Sequence, residues 1–288
     1  MFERIRKLLA QNGISLCAPI ALADCKITRG YLLERAGIGE SGTAVMFAIP
    51  YHTPVCEAEH RNLSRYAVGR DYHLFLKELS DGILPILKQE YPSAKFAMFS
   101  DHSPIDEREA AAKTGLGMIG EHGLLITDLY SSYVFIGELI TDTPLPDKER
   151  HIVDVAACEK CGACLAVCPY MRGEIDQCLS ALTQKKGQLT EKEANVLLKY
   201  DTVWGCDLCQ QVCPHTRSAL LSADITTPIR FFHEVPLPHL TYRDIANMPD
   251  AELASRAYAW RGRDVILRNL AIWEREHGDK EKPSEADH

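Results

Sequence analysis

The chain has 288 residues, 46% hydrophobic and 25% charged, a globular composition whose length predicts two domains or one large domain with an insert. No apolar run approaches the roughly eighteen residues of a membrane span, and the N-terminal stretch MFERIRKLLAQNG, which mixes acids and bases, is not expected to be a secretory or twin-arginine signal. The net charge of −8, from 32 basic and 40 acidic residues, excludes a general attraction to nucleic acid but not a local basic patch.

Strand-like and helix-like segments alternate in the first 146 residues. Short apolar runs predict strands at residues 14–20, 43–49, 95–100, 124–127 and 133–140. Apolar residues at helical spacing predict helices at residues 2–12, 31–36, 75–87 and 104–113. We expect the last two strands to pair as a hairpin or meander.

Asp101 follows the predicted strand KFAMFS directly. Ser103 is the predicted N-cap of the next helix, with Pro104 in its first turn. A carboxylate at the point where a strand leads into a helix lies where α/β folds place their chemistry. From the residues alone, a second capping side chain explains Asp101 equally well.

Two polar stretches flank this point. Residues 64–73 read SRYAVGRDYH and precede the long predicted helix, and their composition alone favours a helix start with a solvated polar face. Residues 117–123 are rich in glycine and contain His122, but they lack the G-x-x-x-x-G-K pattern of a phosphate-binding loop. Neither stretch identifies a function without further information.

Eight of the eleven cysteines lie in one region: seven form two runs that each end in Cys-Pro, and Cys178 lies between the runs. The runs read C-x2-C-x2-C-x3-C-P and C-x2-C-x3-C-P, a spacing typical of bacterial ferredoxin domains that hold two 4Fe–4S clusters. A disulfide framework suits short secreted chains, and zinc ribbons rarely have a third close cysteine before proline. One cluster with zinc, or one cluster alone, remains an alternative. Three further cysteines, Cys17, Cys25 and Cys56, fit a reducing cytoplasm.

The ligands can be divided between two clusters, because the cysteine before proline in one run ligates the other cluster in two-cluster ferredoxins. The first cluster is predicted to bind Cys158, Cys161, Cys164 and Cys213. The second is predicted to bind Cys168, Cys206, Cys209 and, in place of a missing close cysteine, Cys178.

Together these patterns predict an α+β fold with an N-terminal α/β-type sheet domain, helices on both of its faces, and a ferredoxin-like domain with two 4Fe–4S clusters. The predicted divisions are the sheet domain at 1–146, the cluster domain at 152–220, a wrapping segment with C-terminal helices at 221–276 and a disordered tail at 277–288.

Four stretches resemble the cobalamin-dependent epoxyqueuosine reductases, which complete queuosine in tRNA. They are YHTP at 51–54, SRYA-x-GRDYH at 64–73, the region from Asp101 through Gly120 with FIGELITD at 135–142, and the cysteine region, including CLS at 178–180 and GCDLCQQVCP at 205–214. The resemblance implies that the N-terminal domain, residues 1–146, is a corrinoid- and substrate-binding catalytic domain, with a cobalamin held between it and the clusters. The clusters would reduce it to cob(I)alamin, and Asp101 would be the catalytic proton donor.

The resemblance also implies residues that line the cofactor or substrate pocket. These are Ser64, Tyr66, Tyr72, His73, Ser103, His122, Ser132 and Ser180. The implied partners are tRNA and an electron donor such as flavodoxin or ferredoxin, in the cytoplasm and without a membrane.

The chain departs from the family in two places. Arg261–Asn269 resembles the opening of the helical HEAT-like repeats of full-length members, and the chain then ends, so a short form without these repeats is expected. The segment between Cys168 and Cys178 is also short. Both differences lie where tRNA is expected to bind. Alternatives are therefore a corrinoid reductase with another substrate, similar to reductive dehalogenases, or an electron-transfer protein that serves a corrinoid partner.

Overall fold

The structure is a computed structural model, and it describes residues 1–154, 158–221 and 225–277. The chain forms two compact units, each assembled from three segments. The first unit comprises Met1–Thr53, Tyr72–Gly162 and Val212–His233, and the second comprises Pro54–Asp71, Ala163–Gln211 and Glu234–His288. The predicted tail lies outside the described residues except for His277, which ends the last helix. The four predicted sequence divisions stay predictions.

Because the segments of the two units alternate along the sequence, the strands and helices are numbered in chain order. The strands are β1 (Cys17–Ala21), β2 (Thr43–Pro50), β3 (Phe96–Phe99), β4 (Met118–Ile119), β5 (Leu125–Ile126) and β6 (Val134–Thr141). The helices are α1 (Phe2–Gln11), α2 (Tyr31–Ala36), α3 (Tyr72–Glu90), α4 (Glu107–Lys113), α5 (Ala163–Val167), α6 (Leu179–Thr183), α7 (Glu191–Lys199), α8 (Leu208–Gln211), α9 (Pro214–Leu220), α10 (Tyr242–Asn247), α11 (Asp250–Leu253) and α12 (Arg263–His277).

The first unit is built on a four-stranded sheet in the order β1-β2-β6-β3, and every neighbouring pair is antiparallel. β2 is buried along its whole length, as its continuous apolar run predicted. Successive side chains of a strand point to opposite faces. Met46 accordingly joins the apolar cluster that contains Ala111 of α4, whereas Val45 lines a small cavity with Ile5 of α1. The prediction of an α+β fold with helices on both faces of the sheet is confirmed.

Two local predictions in this unit are wrong. The strand at 124–127 does not pair with the one at 133–140, because β5 pairs with β4 while β6 pairs with β2 and β3. Ser103 does not cap α4. The N-cap is Asp106, whose side chain accepts a 3.3 Å hydrogen bond from the backbone N–H of Glu109. Asp101 lies five residues before this N-cap.

The second unit has a core around the fully buried Trp204, with Tyr258 and apolar residues of α12 packed in the same cluster. Asn269 of α12 is also fully buried, and its side-chain amide donates to the carbonyl oxygens of Thr183 at 2.7 Å and Val203 at 2.8 Å. α12 therefore holds the chain just after Cys178 and just before Cys206. Within the described residues, no helix combines the length and apolar character that crossing a membrane requires.

Candidate active site and iron–sulfur ligands

Asp101 lies two residues beyond the end of β3, in the first unit. Its φ of 60° falls in the left-handed region, which Asp tolerates better than most residues with a side chain. Its backbone N–H donates a 3.0 Å hydrogen bond to Oε2 of Glu107, the first residue of α4. Because the sheet is antiparallel, the rule that places active sites at the carboxyl ends of parallel strands does not apply to Asp101. Its carboxylate nevertheless lies just after the end of β3, and 59% of its side-chain surface is exposed.

Tyr72 and His73, the first two residues of α3, meet the carboxylate of Asp101. The Tyr72 hydroxyl donates a hydrogen bond to Oδ2, and Nε2 of His73 lies 3.6 Å from the same oxygen. The structure therefore brings three of the predicted site residues together. They combine an acid, a hydroxyl and an imidazole around one oxygen of an exposed side chain, a set of groups suited to proton transfer.

Flat aromatic rings pack behind this cluster. Tyr72 stacks on Phe135 of β6 with ring centroids 3.8 Å apart and planes 10° from parallel, and Phe135 also contacts Tyr51 at 4.6 Å. His52 stacks on Tyr133, with centroids 5.2 Å apart. The sheet and α3 thus place a broad aromatic group next to Asp101.

Two glutamates near Asp101 were missed by the sequence interpretation. Glu138 in β6 is completely buried, and neither of its carboxyl oxygens has a hydrogen bond of regular geometry among the described residues. Burial raises the pKa of Glu138 to about 8, against an opposing effect of the Ser103 hydroxyl. Burial and then the charge of Asp101 raise the pKa of Glu107 to about 7. The sequence feature that could have indicated Glu138 is that it is the single acid within the mostly apolar sequence of β6.

Three other predicted pocket residues lie in the same unit. Ser103 is buried, and its hydroxyl is engaged by the backbone of Ile105. Ser132 is buried in the turn before β6. Nδ1 of His122 accepts a 3.1 Å hydrogen bond from the Leu124 N–H, whereas its buried Nε2 has no partner among the described residues. Burial lowers the pKa of His122, so the ring is neutral near pH 7 and Nε2 carries its proton.

The remaining predicted pocket residues, Ser64, Tyr66 and Ser180, belong to the second unit. The Ser64 hydroxyl donates to the carboxylate of Asp207, and the Tyr66 hydroxyl accepts a 2.9 Å hydrogen bond from the Trp204 indole. The Ser180 hydroxyl accepts a 3.1 Å hydrogen bond from Gln184. Each side chain is engaged within its own unit, and a role in cofactor binding stays a prediction for all three.

Asp207 is the centre of a buried polar network that the sequence interpretation missed. Besides Ser64, its carboxylate accepts from the Arg65 backbone at 2.9 Å, the Arg65 guanidinium at 3.2 Å and the Arg61 guanidinium at 3.0 Å. Asp207 directly follows Cys206. The network therefore fixes the start of the second cysteine run against the SRYA stretch.

The four cysteines predicted for the second cluster interact with one another in the second unit. Burial, with a smaller contribution from negative charge on neighbouring cysteines, raises the pKa of Cys206 and of Cys209 to about 12. Those neighbours include Cys178 for both thiols and Cys168 for Cys209. Among the described residues no group of three or more His, Cys, Asp or Glu is arranged to hold a metal ion. The thiolates that bind a cubane cluster lie further apart than the ligands of a single metal ion, because each thiolate binds a different iron.

The four cysteines predicted for the first cluster do not all belong to one unit. Cys158, Cys161 and Cys213 belong to the first unit and Cys164 to the second, so this ligand set stays a prediction. Cys213 precedes Pro214, which begins α9 as the first helical residue.

Comparison with known proteins identifies the two matching families. The model described as epoxyqueuosine reductase QueG, DUF1730, matches residues 37–102, and the model of a 4Fe-4S double cluster binding domain matches residues 157–216. The epoxyqueuosine reductase of Shigella dysenteriae is 35% identical over 62% of this chain and 48% of its own length. The chain is a relative of the epoxyqueuosine reductases. The predicted family resemblance and the predicted pair of 4Fe–4S clusters are confirmed.

Other epoxyqueuosine reductases extend the match. That of Lactococcus garvieae is 29% identical, over 93% of this chain and 84% of its own length. The chain nevertheless spans only about half the length of the first curated relatives it matches, 48% and 43% for the first two.

Solved epoxyqueuosine reductases share the fold. The structure from Streptococcus thermophilus superposes with a TM-score of 0.75 at 23% identity, covering 97% of this chain and 82% of that chain. An epoxyqueuosine reductase solved with an epoxyqueuosine-modified tRNA-Tyr stem loop superposes with a TM-score of 0.71 at 20% identity, with the same coverage.

Proposed function

We propose that this chain is an iron–sulfur and cobalamin-dependent oxidoreductase that reduces epoxyqueuosine to queuosine in tRNA. The observation that carries the proposal is the contact of Tyr72 and His73 with the exposed carboxylate of Asp101, in a chain that also matches a double 4Fe–4S cluster domain. Removing the epoxide oxygen as water requires two electrons and two protons. Clusters suit the delivery of electrons and Asp101 suits the delivery of a proton.

The residues of the first unit fit a corrinoid. The half-buried ring of Phe135, which stacks on the buried Tyr72, adds apolar surface for a large macrocycle, and Nε2–H of His122 is a buried donor without a partner among the described residues. When bound, cobalamin supplies a strongly reducing, nucleophilic metal centre. Individual contacts of Ser64, Tyr66, Ser103, Ser132 and Ser180 with this cofactor are part of the proposal.

Asp101 is the proposed proton donor. A large apolar group placed over its carboxylate would remove water from it and so favour the neutral acid, which can then protonate the departing epoxide oxygen. Tyr72 orients the carboxylate through its hydroxyl, and His73 is placed to pass protons to it from solvent, since 55% of its side-chain surface is exposed.

The substrate and the electron source belong to the proposal as well. A protein of the same fold has been solved with an epoxyqueuosine-modified tRNA stem loop, which supports tRNA as the substrate of this chain. The electrons would come from a small carrier such as flavodoxin or ferredoxin. The clusters would then connect that carrier to the corrinoid.

Complementation tests the proposal. The chain is expressed with added cobalamin in a bacterium that lacks its own epoxyqueuosine reductase, and digested tRNA is examined by mass spectrometry. We expect queuosine with the wild-type chain and only epoxyqueuosine with Asp101→Asn. Iron content and corrinoid absorbance are measured on both proteins. Epoxyqueuosine that persists with a wild-type protein holding clusters and corrinoid would refute the tRNA substrate, and activity retained by Asp101→Asn would refute the acid.

A further inference from the structure

Glu107 holds the backbone of Asp101 from a fixed position. Its Oε2 accepts the Asp101 N–H at 3.0 Å, and the helix that it begins is anchored in the core of the first unit by the buried Ala110, Ala111 and Ala112. A left-handed conformation costs a residue with a side chain on the order of 1 kcal/mol. The bond from Glu107 offsets that cost at the residue that carries the proposed acid.

The charge around Glu107 sets the strength of this bond. Asp101 itself, Asp106 and Arg108 face the Glu107 carboxyl, and Glu138 of β6 is the fourth ionisable neighbour. Because Glu138 has a pKa of about 8, it is mostly neutral at pH 7 and adds little repulsion. Glu107 is therefore free to ionise close to neutral pH, and an ionised acceptor makes a stronger hydrogen bond than a neutral one.

We propose that Glu107 is a positioning residue for Asp101, whose carboxylate fixes the loop after β3 so that the acid is presented in one orientation. The inference rests on the proposed role of Asp101 as proton donor. Displacing a catalytic group by about 1 Å can cost about a hundredfold in rate, so turnover is sensitive to the side chain that holds the Asp101 backbone.

Amide hydrogen exchange tests the positioning role without requiring activity. In the full-length holoprotein, Glu107→Leu removes the acceptor, Glu107→Gln keeps an uncharged oxygen, and Glu109→Gln is the matched control, because Glu109 lies on the same helix but pairs with Lys113 at 2.6 Å. We expect exchange at the Asp101 amide to rise about fivefold in Glu107→Leu and about twofold in Glu107→Gln, as loss or weakening of one hydrogen bond predicts. Glu109→Gln should match wild type.

Turnover gives the second readout. Glu107→Leu should lower kcat about tenfold or more while leaving KM, iron content and corrinoid binding unchanged, and Glu107→Gln should recover most of that loss. If Glu107→Leu fails to fold, the smaller changes in Glu107→Gln decide the question. Unchanged exchange at Asp101 in the Glu107 variants, or an equal loss of kcat in Glu109→Gln, would overturn the positioning role. A wild-type protein that reduces no epoxyqueuosine would refute the proposed function, while the exchange experiment would still decide the positioning role.

Discussion

Ser64 donates its hydroxyl hydrogen bond to the carboxylate of Asp207, which lies 143 positions further along the chain and directly after the predicted cluster ligand Cys206. Asp207 also binds Arg65 and Arg61, and all of these groups lie in the second unit. SRYA and GCDLC, which both belong to the stretches that resemble the epoxyqueuosine reductases, are thus joined by one buried carboxylate. These bonds to Asp207 fix the position of the adjacent Cys206.

Asp207→Asn should disturb the second cluster. The amide cannot balance the buried Arg65 guanidinium or accept all four hydrogen bonds, and breaking a buried ion pair on one side costs about 3 kcal/mol or more. We expect the purified protein to lose up to about half of its iron and acid-labile sulfide. Iron and sulfide analysis, together with electron paramagnetic resonance of the reduced protein, measures the change.

Glu57→Gln provides the control for that substitution. Glu57 also pairs with Arg65, at 2.6 Å, but 41% of its side chain is exposed, so water can replace it. Its loss should leave the iron content near that of wild type. Equal iron content in Asp207→Asn and Glu57→Gln would show that the network does not support the cluster.

Cys178→Ala should remove one cluster of two. Cys178 lies within electrostatic range of Cys206 and Cys209, and it is exposed, as a ligand supplied from a separate segment can be. We expect about half of the iron to be lost, with the signal of a single cluster remaining after reduction. Cys25→Ala, which removes a cysteine outside both runs, should change neither. Two intact clusters in Cys178→Ala would place the fourth ligand elsewhere.

The sequence could predict features that depend on local pattern. The continuous apolar run of β2 predicted a strand buried on both faces, and the spacing of the cysteines predicted a double-cluster domain. The partner of β5 could not be predicted, because a two-residue strand carries no periodicity and β4 is equally short. The result was an incorrect hairpin between the segments at 124–127 and 133–140.

In the candidate site, too, the sequence could predict what depends on local pattern but not what depends on contacts between distant segments. Asp101 could be singled out because it follows a strand and lies in a familiar motif. The sequence could not show which residues contact Asp101, because Tyr72 is 29 positions away and no local pattern relates the two residues. Asp207 and Glu138 were overlooked for a related reason. A buried acid is recognised by the partners that surround it, and those partners come from distant segments.

Tyr72→Phe should separate positioning of the acid from packing of the aromatic rings. Phenylalanine keeps the ring that stacks on Phe135 at 3.8 Å but removes the hydrogen bond to Asp101. We expect kcat to fall about tenfold with little change in corrinoid binding, whereas Tyr72→Leu should weaken both. Single-turnover rates and corrinoid absorbance distinguish the two effects. A Tyr72→Phe protein with wild-type kcat would show that the hydroxyl does not assist Asp101.

Glu138→Gln should make the protein more stable at high pH. The pKa of Glu138 is about 8 in the folded protein and its ordinary value is 4.5, so between these values the folded protein keeps a proton that the unfolded chain has lost. Stability contributed by that proton is present below about pH 4.5 and declines as pH rises towards about 8.

Glutamine is neutral at every pH and escapes this decline. The gain in the free energy of unfolding should therefore grow from about 1 kcal/mol at pH 5 to about 3 kcal/mol at pH 7 as an upper value. Thermal unfolding of the holoproteins across pH 5 to 8 measures it, with Glu109→Gln as a control that should track wild type. A difference between Glu138→Gln and wild type that stays constant with pH would show that Glu138 is ionised in the folded protein.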